Sequence, residues 1–116
     1  MVGSSVYVIG GEHVARTPIN SDIHTLDLSA ATKEWKTLSP AGTAPSDRIA
    51  HSQAVIGTGI YVFGGRQGVQ IAEAPLNDMH RFDTATQTWA EATPSNPDAV
   101  LCTRSFHAMC AAGKHL

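Results

Sequence analysis

The chain has 116 residues, 42% of them hydrophobic, with ten acidic residues against eight lysines and arginines for a formal charge of −2. That length holds one small domain at most, and no apolar run approaches the roughly 18 residues of a membrane-spanning helix. The basic residues are scattered and form no patch, which excludes a nucleic-acid surface built on phosphate neutralisation.

Met1-Val2-Gly3-Ser4-Ser5 lacks the basic and long apolar segments of a signal peptide. Cys102 and Cys110 are too few for a disulfide framework or a four-ligand zinc site, so two reduced thiols and a cytoplasmic setting are expected. The first element is an apolar strand, Val6 to Ile9, closing on Gly10-Gly11. A second strand follows in Asp22-Ile23-His24-Thr25-Leu26-Asp27, and a third near Trp35. Ala50 to Ile56 is a run of small and apolar residues that stops at the turn Gly57-Thr58-Gly59. Ile60 to Phe63 is continuously apolar, as a strand covered on both faces requires. Met79 to Asp83 and Trp89 to Ala92 are further strands, joined by a turn that Asp83 opens with its side chain. A last strand is expected over Phe106 to Ala112. No window keeps the helical i, i+3, i+4, i+7 pattern, so the chain is all-β.

These elements repeat. Val6-Tyr7-Val8-Ile9-Gly10-Gly11 returns as Ile60-Tyr61-Val62-Phe63-Gly64-Gly65, and Trp35 returns as Trp89 at the same spacing. Asp22 to Asp27 matches Asp78 to Asp83, and Arg48-Ile49-Ala50-His51 matches Arg104-Ser105-Phe106-His107, both at a spacing two residues longer. Such drift belongs in loops, where insertions cost little chain entropy.

An apolar-Tyr-apolar-apolar-Gly-Gly strand, a downstream Asp and a Trp, recurring together, resemble the kelch repeat, whose period is about 50 residues. The resemblance implies a segment of a kelch-type β-propeller built from four-stranded antiparallel blades. Residues 1–45 supply strands two to four of one blade, residues 46–95 a complete blade, and residues 96–116 the first strand of a third. The strand register is thus three, four and one. Gly10, Gly11, Gly64 and Gly65 permit close backbone approach, Asp27 and Asp83 open turns, and Trp35 and Trp89 pack on neighbouring blades. Closed propellers have about four to eight blades. The expected partners are therefore the remaining blades of a longer polypeptide, or copies of the chain docked head to tail, three of which make six blades.

Three stretches are similar to a narrower branch, the epithiospecifier, nitrile-specifier and thiocyanate-forming proteins. They are Gly10-Gly11-Glu12, Phe63-Gly64-Gly65-Arg66 and Thr103-Arg104-Ser105-Phe106-His107-Ala108-Met109. That resemblance implies a propeller with ferrous iron, Fe(II), and an arginine after a Gly-Gly strand that holds a substrate sulfate; Arg66 stands at the matching position. The iron motif of that branch, Glu, Asp and His four residues apart, is missing: Glu12 is followed at that distance by Arg16. No cofactor and no metal ligand is therefore expected in this chain, and Fe(II) belongs only to a longer, specifier-like parent.

Arg66 is the foremost candidate ligand-binding residue, because its planar guanidinium suits sulfate, carboxylate or phosphate and it leads into a long loop, residues 67–76. An inter-blade ion pair is the competing role. Glu12 holds the equivalent loop position in the first repeat, which sets opposite charges at one mouth of the channel. Arg48 with His51 and Arg104 with His107 recur once per repeat, which points to blade architecture rather than metal binding; the same holds for His24 and His80. Ser105 near His107 has no third orienting group, so no catalytic set is assigned. The leading function is a non-catalytic scaffold that binds a protein or a small anionic ligand. The alternatives are part of a specifier-like iron lyase acting on glucosinolate aglycones, and a carbohydrate or small-molecule binder at the channel mouth.

Overall fold

The computed structural model describes residues 1–68, 74–95, 98 and 101–116, and every described element is a strand, turn or loop. In the first blade, β1 (Ser5–Ile9), β4 (Ile23–Asp27) and β5 (Trp35–Leu38) form an antiparallel sheet in the order β1-β4-β5. Between β1 and β4, β2 (Glu12–Val14) and β3 (Thr17–Pro18) make a small hairpin where the sequence reads as a loop. The second blade holds β7 (Ser52–Ile56), β8 (Gly59–Phe63), β9 (Met79–Asp83) and β10 (Thr88–Glu91) as an antiparallel meander. A fifth strand, β6 (Ala41–Gly42), joins its outer edge parallel to β10. Residues 41–42, assigned from sequence to the first repeat, are thus structurally part of the second blade. A Cβ on Gly42 would lie 2.0 Å from the Trp89 carbonyl oxygen, so only glycine brings β6 this close.

The core lies between the blades. Side chains alternate across a strand, and Ile60, Phe82 and Trp89 form one cross-strand row on the second blade. That row packs with Ile9 and Ile23 of the first blade, with Tyr7 and Leu38 alongside. Ring centroids are 5.3 Å apart for Phe82 and Trp89 and 6.3 Å for Tyr7 and Phe82. Phe82 and Ile23 are completely buried.

Two expectations fail for one physical reason. Val6, Leu26 and Trp35 form the equivalent row on the first blade, but it faces away from the second blade, and no described blade packs on it. Trp35 is 56% exposed, whereas Trp89 is 3% exposed; Trp35 is not a core residue of this chain. Residues 106–112 form no strand, because a first strand needs a second to pair with and no described strand lies beside it. Only its turn is in place: Gly113 heads a tight turn closed by Ala112 and His115, repeating the turns at Gly57 and Gly3.

Candidate functional site

Arg48 precedes β7 and is 3% exposed. A buried guanidinium needs five acceptors, and Arg48 has them. Nη1 donates to the Gly64 carbonyl at 3.0 Å and to Asp78 Oδ1 at 2.6 Å. Nη2 donates to Asp78 Oδ2 at 2.7 Å and to Ser46 Oγ at 3.0 Å, and Nε donates to the Ser46 carbonyl at 3.1 Å. The bidentate pair ties the start of the first strand to the start of the third. Hydrogen bonding from Arg48 holds the Asp78 carboxyl below its ordinary range, against the opposing effect of burial. His80 lies 3.5 Å from the same carboxylate, and burial pushes its pKa down although Asp78 pulls the other way.

A second arrangement recurs at both blade junctions. A Cβ on Gly10 would sit 2.8 Å from His51 Cε1, and one on Gly64 would sit 2.9 Å from His107 Cε1. The first glycine of each Gly-Gly pair therefore leaves space for the histidine of the next repeat. Each histidine follows a non-glycine residue in the left-handed region, Ala50 at φ 56° and Phe106 at φ 56°, and the Phe106 N–H donates to the Ala50 carbonyl at 2.9 Å. His107 stacks edge-on against Phe63 at 5.4 Å and shares a hydrogen bond with Ser52. Burial lowers the pKa of both histidines, with Arg48 adding to the effect at His51 and Arg104 at His107. The repeated Arg-x-x-His is visible in the sequence; the left-handed residue inside it is not, because Ala and Phe carry no signal for that conformation.

Arg66 is half-buried, and its backbone exchanges two 2.9 Å hydrogen bonds with Ile49, which fixes where the chain leaves β8. Residues 69–73 of the long loop beyond it lie outside the described residues. Glu12 is exposed, and its carboxylate accepts the Arg16 backbone N–H. A small open cleft lies between the blades, lined by Ile9, Gly10, Asn20, Asp47, Arg48 and His51 among others. Neither Glu12 nor Arg66 lines it. Asp27 and Asp83 each accept a backbone N–H two residues on, from Ser29 and Ala85 at 2.9 Å, as turn-opening residues. Cys102 and Cys110 are free and exposed. Among the described residues no three His, Cys, Asp or Glu side chains gather to hold a metal.

The family profile described as KLHDC2/KLHL20/DRC7 Kelch-repeats domain matches residues 1–116. This chain belongs to the kelch-repeat family. The kelch chain is 32% identical over 117 residues to Kelch domain-containing protein 3 of Bos taurus, covering all of this chain and 28% of that protein. It is 27% identical to the N-(sulfonatooxy)prop-2-enimidothioate sulfolyase of Thlaspi arvense, covering all of this chain and 32% of that protein. Among solved structures, that of YjhT superposes with a TM-score of 0.62 at 25% identity, over 93% of this chain and 28% of that one. The kelch chain therefore spans about a third or less of the length of these relatives, and it is a kelch propeller segment with a specifier-like relative. Among its described residues, no helix is long and apolar enough to cross a membrane.

Proposed function

We propose that this kelch segment is a binding scaffold, non-catalytic by itself, whose loops on the Gly-Gly side receive a protein or a small anionic ligand. The observation that carries the reading is the anchoring of Arg66, whose backbone is stitched to Ile49 at the mouth of the second blade. Rigid strands presenting a charged loop residue are the usual construction of a binding site, and guanidinium binds oxyanions through paired hydrogen bonds. The name of the Thlaspi arvense relative specifies a sulfonatooxy compound, which favours a sulfate ester as a second, narrower ligand class. No iron-dependent step is proposed, since the specifier-type spacing of Glu, Asp and His is absent from this sequence. The test is calorimetric titration with a short alkyl sulfate and with a carboxylate-ended peptide. Arg66→Ala is expected to weaken the bound anion by about 1–3 kcal/mol; unchanged affinity in a folded variant assigns Arg66 to architecture and rejects the reading.

A further inference from the structure

A buried arginine and a buried imidazole stand against one carboxylate beside the Gly-Gly turn of the second blade. His80 is 5% exposed. Its Nδ1 is shielded from solvent and makes no hydrogen bond among the described residues, although Asp78 Oδ2 lies 3.5 Å away. The same oxygen accepts Arg48 Nη2 at 2.7 Å. His80 lies two residues from Phe82 on β9, so it shares the face that packs on the first blade. The second blade has all four strands of its meander, and its neighbour on this side is in place.

Arg48 is charged at every pH of interest, so with a neutral ring the cluster holds one cation and one anion. A proton on His80 sets two cations against Asp78. The charged groups that act on His80 are Asp78, Arg48 and Glu91. Its partner on β8, Val62, is apolar, and Glu91, its partner on β10, is exposed. Asp78 alone stands within ion-pair distance among the described residues. A charge-assisted N–H···O bond closes to about 2.7–2.9 Å, so an imidazolium draws Asp78 toward itself while it repels Arg48. Both effects weaken the bond from Arg48 Nη2 to Asp78.

That bond belongs to a larger frame. Arg48 Nη1 donates to the Gly64 carbonyl at 3.0 Å, and the Gly64 N–H donates to the Asp78 carbonyl at 3.1 Å. Ile49, next to Arg48, exchanges two 2.9 Å backbone hydrogen bonds with Arg66. One cluster thus sets the path of Gly64, Gly65 and Arg66. We propose that His80 is a proton-operated latch on this segment: neutral, it leaves Asp78 to Arg48 and the segment fixed, and protonated, it takes a share of Asp78 and loosens the segment while the blades stay packed. Burial lowers the pKa of His80 from 6.5, so the latch is closed at neutral pH and opens in acid. The latch acts on backbone position and stands whether or not Arg66 receives an anion.

Nuclear magnetic resonance of the isotope-labelled chain from about pH 7.5 to about pH 5 tests this, following the His80 ring nitrogens and amide exchange together. Protection at Ile49 and Arg66, corrected for the intrinsic pH dependence of exchange, should fall at least about tenfold, the equivalent of one charged hydrogen bond. The fall should share the midpoint of the His80 ring, and the Phe82 amide in β9 should keep its protection. His80→Gln should hold Ile49 and Arg66 constant, whereas His51→Gln, which removes the other ring that feels Arg48, should leave the transition in place. Protection that stays constant while His80 titrates overturns the proposal, as does a ring that remains neutral until the chain unfolds. A loss shared equally by Phe82 is global unfolding and rejects a local latch. A transition that persists in His80→Gln assigns the effect to another group; if that variant does not fold, the ring and amide midpoints of the wild type decide.

Discussion

Trp35 and Trp89 hold the same position in successive repeats, yet the first is 56% exposed and the second 3%. The difference follows from direction: each blade sends its tryptophan row toward the blade before it. Trp89 meets Phe82 and the Tyr7 face, while the row of Trp35 has no described blade packed on it. Trp89→Ala should therefore destabilise the fold by about 3–5 kcal/mol, the range for removing a packed aromatic side chain. Trp35→Ala should shift the single-chain unfolding midpoint by well under half of that. Urea unfolding followed by circular dichroism, at a dilution where one chain mass is observed, measures both. Equal losses would mean that the inter-blade core is not where the structure places it.

The Arg48 clamp gives a second comparison. Arg48 is 3% exposed and Asp78 supplies two of its five acceptors. Asp78→Ala leaves a buried cation without its counter-charge, which costs about 3–5 kcal/mol in such settings; the partial exposure of Asp78 places the expected loss at the low end. Asp22→Ala removes a half-buried carboxylate whose partner is an asparagine amide, and should change the unfolding free energy of the single chain by under about 0.5 kcal/mol. The same unfolding experiment decides, and a mild Asp78→Ala would show that water reaches Arg48.

Gly64 tests the contact between repeats. It combines φ 66° with an absent Cβ that would fall 2.7 Å from the Arg104 carbonyl oxygen and 2.9 Å from His107 Cε1. Gly57 has φ 58° and open space around it. Gly57→Ala should therefore cost only the left-handed penalty of about 1–2 kcal/mol, while Gly64→Ala adds a clash with backbone and should cost distinctly more. Amide exchange separates them further: the Gly65 N–H, which donates to Arg104 at 2.9 Å, should lose protection only in Gly64→Ala. Matched losses at the two glycines would remove the close-approach argument.

The two repeats were legible because their marks are physical necessities of local structure. β9 occupies the residues that its alternating pattern assigns, and β8 differs only by gaining Gly59. What escaped was everything decided by neighbours. β6 has two residues and no pattern, and exists because β10 leaves an edge open beside it. Residues 106–112 carry the composition of a strand but lack a partner, so propensity alone does not order them. At the candidate site the Arg-x-x-His repetition was readable as architecture. Its clamp to Asp78 required knowing that the starts of the first and third strands meet, which no local pattern announces.

The histidines at the blade junctions make stability depend on pH in a definite direction. His51, His80 and His107 all have their pKa lowered from the ordinary 6.5, with burial the leading cause at each. At pH values just below 6.5 the unfolded chain therefore binds more protons than the folded one, so stability rises with pH through this window. The histidine contribution is fully present above about pH 6.5 and is lost as pH falls toward the lowered folded-state values. Asp78 adds a separate loss at more acidic pH, because its carboxyl is held below the ordinary 3.8 and its stabilisation fades as pH drops from there. The charged or titratable groups acting on His51 and His80 are Arg48, Asp78 and Glu91, with His107 also acting on His51. The first disfavours an added proton, and the two carboxylates, which act on His80, oppose its loss of charge only in part. Melting temperatures measured from about pH 7.5 to about pH 5 should fall monotonically across this range. His51→Gln, which keeps a polar side chain without a titrating ring, should flatten the slope. A melting temperature that is constant or rises on acidification would show that the junction histidines are solvated enough to titrate as they do in the unfolded chain.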